Sequence, residues 1–321
     1  MIALATVTFA CGDDGAGDSP TQETPVVTVA LPSVPPESVE RTGLLVYKDT
    51  LSVQIFALNL STGERLPVTG ATGSVIAFDC TRDGRLIASA NATVNAFVSA
   101  VSFAGEGAPS QPVEVQGGII GMAWAPGGQR IAMTVVVAGP EYRLLLMDAN
   151  TGETTTLPPI AGVPGAPRWS PDGQRLVLDI NRGGLSDIYV LDVAAPNPVK
   201  ISTQPSAFTP DWSPDGRTII FTAEDEQAGL PQLYAVEADG KNERKLTASE
   251  TQKWSPRWSL DGSLISYAGL VTLPAVSILP VRTHNQAVWV ANPDGGNETL
   301  ITELVFDAQP LAWCPRGTWA Q

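Results

Sequence analysis

The sequence has 321 residues, of which 43% are hydrophobic and 16% charged, so the chain has ample material for a hydrophobic core. Its formal net charge of −14 excludes proteins that bind nucleic acids through clustered Lys and Arg, and it disfavours binding to anionic lipid surfaces. The 30 Gly and 27 Pro indicate many turns in place of long helices.

The chain begins with a short apolar segment, residues 1–10, that ends at Ala10-Cys11. It is far shorter than the roughly 20 residues that span a bilayer. An apolar run, a small residue, a Cys and a flexible linker together resemble a bacterial lipoprotein signal, which is cut before the Cys. We therefore expect an export segment at 1–10, a lipid on Cys11, and a position on the extracytoplasmic face of a bacterial envelope membrane, periplasmic or at the cell surface.

Two departures from that pattern leave an ordinary N-terminal segment open as the alternative. Thr8 stands three positions before the Cys, where Leu or Val is usual, and no Lys or Arg precedes the apolar run. Residues 11–40 are rich in Asp, Gly, Ser, Thr, Pro and Glu, a composition typical of a flexible acidic linker. The folded domain is expected at 41–321.

A turn motif recurs along this domain as CTRDG, WAPGG, WSPDG twice, WSLDG and WCPRG. The closing glycines are Gly84, Gly128, Gly173, Gly216, Gly262 and Gly317. Their spacings of 44, 45, 43, 46 and 55 residues indicate a repeat architecture. In Ser170-Pro171-Asp172-Gly173, Pro fits the second position of a type I turn, and Gly fits the left-handed position that closes a hairpin.

Each turn is followed by short β-rich runs, such as Arg175 to Ile180 and Ile188 to Asp192. The runs predict four-stranded modules that must stack on one another to bury their faces. The last motif is preceded by a first strand but is not followed by the other three strands of a blade. Before the first motif, by contrast, the chain has three strands that lack a first strand. We therefore expect an all-β, six-bladed propeller of four-stranded antiparallel blades, closed by pairing of Trp313 with the strand at Leu45.

The WSPDG turn, the apolar strand after it, and the runs IYVLDV and LYAVEADGKNERKLT resemble the TolB-type, WD40-like (PD40) β-propeller family. The resemblance covers about residues 42 to 321. It departs from the pattern where Cys80 replaces Trp and where Ala125-Pro126-Gly127 replaces SPD. It implies the propeller fold and leaves the function open, since the family includes peptidase appendages, scaffolds and lipoproteins.

The recurring Trp residues are expected to act as structural anchors that pack between blades; they are Trp124, Trp169, Trp212, Trp258 and Trp313. A role in stacking on a ligand is the alternative. The residues just before the six motifs are Asp79, Ala123, Arg168, Asp211, Arg257 and Ala312. We expect the charged ones to line the central channel, either as an ion ladder between blades or as a polar ligand site.

Two cysteines of the predicted domain lie on turn motifs that become neighbours when the ring closes. Cys80 and Cys314 occupy different positions of the motif, and disulfide geometry is demanding. The sequence therefore favours two buried free thiols, with a disulfide across the seam as the alternative in an oxidising compartment.

Residues suited to catalysis are scarce. His284 is the single histidine, which excludes multi-histidine metal sites, and no GxSxG nucleophile motif is present. Glu224-Asp225-Glu226 is expected to be a solvated loop tip. We predict no enzyme activity, no metal and no cofactor.

One insertion breaks the repeat. The last step is about ten residues longer than the others, and the excess falls in the apolar run from Ala268 to Val281. An apolar loop of this length predicts either a contact surface or a segment that packs over the channel. The candidate partner-binding residues are Leu270, Val271, Leu273, Val276, Ile278 and Leu279.

These observations favour a non-catalytic, lipid-anchored, monomeric module that binds a protein or another cell-envelope component. A small-ligand-binding or hydrolytic propeller with its site in the central channel is the alternative. Such a site would use the channel charges or His284.

Overall fold

A computed structural model describes residues 4–5, 29–30, 43–49, 54–60, 62–68, 75–84, 86–92, 98–105, 111–137, 141–227, 229–270, 286–302 and 311–315. Every regular element within these ranges is a β-strand. Two short strands, β1 (Leu4–Ala5) and β2 (Val29–Ala30), pair antiparallel with each other, a pairing that the sequence did not indicate.

The other strands form antiparallel sheets that follow one another along the chain. The chain first supplies β3 (Leu44–Asp49), β4 (Gln54–Leu58) and β5 (Arg65–Pro67). Blade 1 consists of β6 (Val75–Cys80), β7 (Leu86–Ala92), β8 (Val98–Gly105) and β9 (Val113–Gln116). Blade 2 consists of β10 (Gly118–Trp124), β11 (Arg130–Val136), β12 (Tyr142–Asp148) and β13 (Thr154–Thr156).

Blade 3 consists of β14 (Val163–Pro164), β15 (Arg168–Trp169), β16 (Arg175–Arg182), β17 (Leu185–Asp192) and β18 (Val199–Lys200). Blade 4 consists of β19 (Phe208–Trp212), β20 (Thr218–Asp225), β21 (Leu230–Glu237) and β22 (Arg244–Lys245). Blade 5 consists of β23 (Lys253–Trp258), β24 (Ile265–Leu270), β25 (Gln286–Ala291) and β26 (Thr299–Thr302). The closing blade joins β27 (Leu311–Cys314) to β3, β4 and β5 in that order.

The all-β propeller of antiparallel sheets that the sequence predicts is confirmed, and so is its closure by the two ends of the chain. Trp313 of β27 lies opposite Leu45 of β3 in an antiparallel ladder. The first strands of adjacent blades contact one another in a complete circuit, from β6 through β10, β15, β19 and β23 to β27 and back to β6. These strands therefore surround the axis of the ring.

The expectation of six uniform four-stranded blades needs one correction, because only five of the sheets have four strands. Blade 3 has five, since β14 and β15 both pair with β16 at successive positions. The two short strands are separated by Gly165-Ala166-Pro167, and Pro has no N–H to give to a ladder. The other first strands show a milder irregularity at the same place, a register shift in β6, β10, β19 and β23.

The hydrophobic core is divided into layers, because each apolar cluster of the described residues lies between two neighbouring blades. Between blades 3 and 4, for example, Val177 and Ile188 pack with Trp212 and Phe221. The anchors Trp169 and Trp313 occupy equivalent places at other interfaces. A large aromatic side chain buries roughly 150–250 Å² of surface, so one Trp supplies a large part of each layer.

The repeated turns form a second set of contacts between blades. In the first WSPDG turn, Asp172 accepts the N–H of Gln174 at 3.0 Å and Ser170 Oγ accepts that of Arg175 at 2.9 Å. Gly173 has a φ of 68°, which a residue with a side chain rarely adopts. A Cβ at Gly173 would lie 3.6 Å from Cδ of Pro126, and a Cβ at Gly216 or Gly262 would lie as close to Pro171 or Pro214, so these three turns each pack on the Pro of the turn before.

The structure contains a disulfide between Cys80 and Cys314, with their Cα atoms 5.9 Å apart. The expectation of two free thiols is therefore wrong. The residues occupy different motif positions, but β27 and β6 are neighbours around the axis, which places the two cysteines within bonding distance. The bond ties β27 to blade 1, while hydrogen bonds tie it to β3.

We expect loss of this bond to lower the free energy of unfolding by about 2–4 kcal/mol, because a cross-link over 234 residues restricts the unfolded chain. In a Cys11→Ser background, denaturant unfolding would compare the protein before and after reduction. A Cys80→Ala/Cys314→Ala variant should match the reduced protein and show no response to reductant. Two alkylatable thiols in the untreated, denatured protein would contradict the assignment.

Candidate functional site

The central channel holds two cavities along the axis of the ring. The narrow chamber has a volume of 130 Å³ and lies beside the repeated turns, where it is lined by residues such as Ser259 and Pro214. The wide chamber has a volume of 280 Å³ and lies beside the register shifts, where Thr209 and Ser255 line it. Among the residues that the structure describes, Arg168 and Arg257 are the two that line both chambers, so their side chains form the division between them.

All four charged residues that precede the anchors line the narrow chamber; these are Asp79, Arg168, Asp211 and Arg257. Four of the anchors line it as well, namely Trp169, Trp212, Trp258 and Trp313. The structure thus brings the predicted channel residues together. These acidic and basic residues share one cavity.

The two carboxylates are held by backbone donors of the next blade. The N–H of Trp124 donates to Asp79 Oδ2 at 2.7 Å, and the N–H of Trp258 donates to Asp211 Oδ2 at 2.8 Å. The Asp that precedes the turn motif therefore links blade 1 to blade 2 and blade 4 to blade 5. The sequence indicated the charges but not these backbone partners.

Burial raises the pKa of Asp79 and of Asp211, and the nearby guanidinium groups act in the opposite direction. Burial, with the repulsion of Arg168, lowers the pKa of Arg257 to about 9. Arg168 Nη1 donates to the carbonyl of Met122 in blade 2 at 3.0 Å, and Arg257 Nη1 donates to the carbonyl of Pro256 at 2.8 Å. Two acidic and two basic side chains thus lie together in the channel, largely shielded from bulk water, and Arg82 adds a third basic residue to the lining of the narrow chamber.

Residues at the register shifts were missed by the sequence analysis. Thr209 and Ser255 have φ values of 52° and 54°, unusual for residues with side chains, and both line the wide chamber. Each is followed by Pro and then by the charged residue before the anchor. That Pro, which interrupts the ladder, is the feature of the sequence that could have revealed the irregularity.

A further buried carboxylate, that of Asp179, contacts Thr209 from outside the lining of the wide chamber. Asp179 Oδ1 accepts the N–H of Thr209 at 3.2 Å, and a Cβ on Gly165 would lie 2.4 Å from the same oxygen. Burial raises the pKa of Asp179 to about 6. Asp179 thus supports the unusual backbone of Thr209 from the middle of β16.

Few of the other predicted site residues can be placed. Leu270 is the last residue of β24 and lies just beyond Gly269, which pairs with Lys253 at the start of β23. Because β23 runs from the wide chamber to the narrow one, Leu270 lies at the wide-chamber end of the ring. Outside the described residues lie Cys11, Val271, Leu273, Val276, Ile278, Leu279 and His284.

The described residues contain no group of three or more His, Cys, Asp or Glu arranged to hold a metal ion. Nor do those residues include a helix with the length and apolar character that a bilayer crossing requires.

We expect Asp179 to make stability depend on pH. With a folded pKa near 6 and an ordinary value of 3.8, the folded protein binds this proton more tightly than the unfolded chain does. The carboxylate therefore lowers the free energy of unfolding progressively as the pH rises from about 4 to above 6. Asp179→Asn keeps an oxygen acceptor for Thr209, and its stability relative to the wild type should rise over this range by at most about 3 kcal/mol.

Urea denaturation between pH 4 and pH 8 would measure this difference. Asp172→Asn is the matched control, because the hydrogen bond from Ser170 lowers the pKa of Asp172 below its ordinary value of 3.8, so its difference from the wild type should stay nearly constant between pH 4 and pH 8. Its carboxylate stabilises the fold above the unfolded pKa and loses that effect as the pH falls. A difference between Asp179→Asn and wild type that stays constant with pH would contradict the prediction.

Comparisons with known proteins agree with the fold. Residues 106–320 match the TolB beta propeller domain family. The Tol-Pal system protein TolB of Gluconobacter oxydans is 33% identical over 175 residues, which is 54% of this chain and 36% of that protein. The protein of the same name from Anaeromyxobacter dehalogenans is 27% identical over 117 residues, 36% of this chain and 26% of its own length.

Among solved structures, TolB from Acinetobacter baumannii has a TM-score of 0.68 with 16% identity. The match covers 87% of this chain and 68% of that one, and at this identity it supports the fold alone. The chain matches only about a third or less of the length of the two relatives above. Since the family match covers most of the ring, the chain belongs to the TolB β-propeller domain family.

Proposed function

We propose that this protein is a non-catalytic interaction module of the bacterial cell envelope, held at the extracytoplasmic face of a membrane by a lipid on Cys11. In this proposal it acts as a monomer and needs no cofactor. It presents the wide-chamber end of its ring to a protein or another envelope component.

The placement of the apolar insertion carries this proposal. β24 ends at Leu270 and β25 begins at Gln286, and these two residues pair at the wide-chamber end. The intervening residues are mostly apolar in the sequence, in contrast to the short polar loops typical of strand connections. We therefore assign partner binding to Leu270, Val271, Leu273, Val276, Ile278 and Leu279.

Two further observations support an extracytoplasmic location. Disulfides form and persist in oxidising compartments, and Cys80 is bonded to Cys314. Two relatives carry the name of the Tol-Pal system. The sequence around Cys11 adds the resemblance to a lipoprotein signal.

Lipidation of Cys11 is directly testable in a bacterial host. Metabolic labelling with an alkyne fatty acid should mark the wild type, and the labelled protein should fractionate with membranes. Cys11→Ser should lose the label and move to the soluble fraction. Cys80→Ala/Cys314→Ala should keep the label, which separates lipidation from any effect of losing a Cys; an unlabelled wild type would contradict the anchor.

Partner binding is testable by affinity capture and mass spectrometry from solubilised membranes. We expect Leu273→Asp/Ile278→Asp to lose specific captured components while keeping the wild-type melting temperature, because a charge in an apolar contact is costly to desolvate. Val199→Asp is the matched control, since Val199 is 59% exposed on β18, the outer strand of blade 3. Unchanged capture by the double variant would refute the contact surface, and loss of folding would assign the segment to packing.

A further inference from the structure

The wide chamber has two chemically different halves. Blades 1 and 2 supply an apolar wall that includes Ile76, Phe78, Ile120 and Met122. The opposite side has the hydroxyl-bearing Thr209 and Ser255. Arg168 and Arg257 separate this chamber from the narrow one. A ligand in this cavity would therefore contact apolar groups on one side and polar donors on the other.

The charges of the channel are segregated along its axis. Asp79 and Asp211 line the narrow chamber and are absent from the lining of the wide one. Of the residues that line the wide chamber in the described part of the chain, the charged ones are Arg168 and Arg257. Asp179 lies behind the wall and accepts the N–H of Thr209. The wide chamber therefore presents the cationic side of the channel cluster.

Arg168 has hydrogen-bonding capacity that the protein leaves unused. The residue is only 8% exposed, and its Nη1 donates to the carbonyl of Met122. Its buried Nε has no hydrogen-bond acceptor among the described residues. A buried N–H without an acceptor carries a desolvation cost, which a ligand oxygen within reach of this guanidinium would offset. The planar guanidinium group matches the two oxygens of a carboxylate.

From these features we infer that the wide chamber is a binding site for a small organic monocarboxylate. The carboxylate group binds Arg168 beside Arg257, and a compact apolar group of the ligand packs against Ile120 and its neighbours. The volume of 280 Å³ is near the lower limit of about 300 Å³ for ligand pockets, which restricts the site to small molecules. The wide chamber lies at the same end of the ring as the proposed partner surface, but the inference does not rest on that surface or on the lipid anchor.

An inorganic anion fits this chamber less well than an organic acid. Phosphate or sulfate would need water or hydrogen-bond donors on all sides, whereas the side chains of Ile76 and Ile120 offer no donor. Ile120 is 42% exposed, so an apolar group of the ligand would cover surface that is otherwise open to solvent. The two halves of the chamber thus favour a ligand with one charged end and one apolar end.

Isothermal titration calorimetry on the Cys11→Ser protein would test the site with three probes, benzoate, phenylacetate and hexanoate, each compared with its neutral amide. We expect at least one acid to bind saturably and its amide to bind about tenfold or more weakly, because hydrogen bonds to a charged group contribute about 1.5–3 kcal/mol. No saturable binding of any of the three acids up to roughly 10 mM would overturn the proposal, as would equal binding of acid and amide.

Two variants locate the binding. Arg168→Gln should weaken acid binding about tenfold or more. Ile120→Asp places a carboxylate in the partly exposed wall of the chamber, so it should weaken the acid similarly without disturbing a buried hydrogen bond. Leu185→Asp adds the same charge to the ring outside the chamber and should bind as the wild type does. If Leu185→Asp weakens binding as much as Ile120→Asp, the effect is one of overall charge and the site is wrong.

Discussion

The pairing of β27 with β3 is the constraint on which the rest of the structure depends. Each blade buries its two faces only against its neighbours, and the apolar clusters are accordingly divided among the interfaces between blades. An unpaired β27 would expose an edge of the closing blade and withdraw Trp313 from its contact with blade 5. The disulfide from Cys314 to Cys80 holds the same strand from its other side. Closure is thus secured by hydrogen bonds, by packing and by a covalent bond.

A single repeated position serves both the architecture and the chemistry of the channel. Where the residue before the anchor is Asp, its carboxylate accepts an N–H from the next blade, as Asp79 and Asp211 do. Where it is Arg, the side chain reaches the division between the chambers. Acidic and basic residues together line the narrow chamber, whereas the charged residues that line the wide chamber in the described part of the chain are Arg168 and Arg257. A repeat that stabilises the fold therefore also sets the polarity of the cavity.

Much of the fold could be predicted from the sequence, because the turn motif recurs with a regular spacing and specifies one reversal per blade. Counting the strands also predicted that the two ends of the chain build the closing blade together, with Trp313 opposite Leu45. The prediction of two free thiols was wrong because the position of a Cys in the motif does not show how far neighbouring strands are shifted along each other. The division of β14 from β15, and the backbone donors that hold Asp79, depend on contacts between blades that no local pattern records.

The bond between Cys80 and Cys314 also has a bearing on how the protein would withstand proteases. Its two ends lie 234 residues apart, so most of the ring is contained in one covalent loop. If a protease cut once at a surface loop within this span, the two fragments would remain linked, and the blades on either side of the nick could stay assembled. The bond that closes the ring therefore also keeps the two pieces of the chain together after most single cleavages.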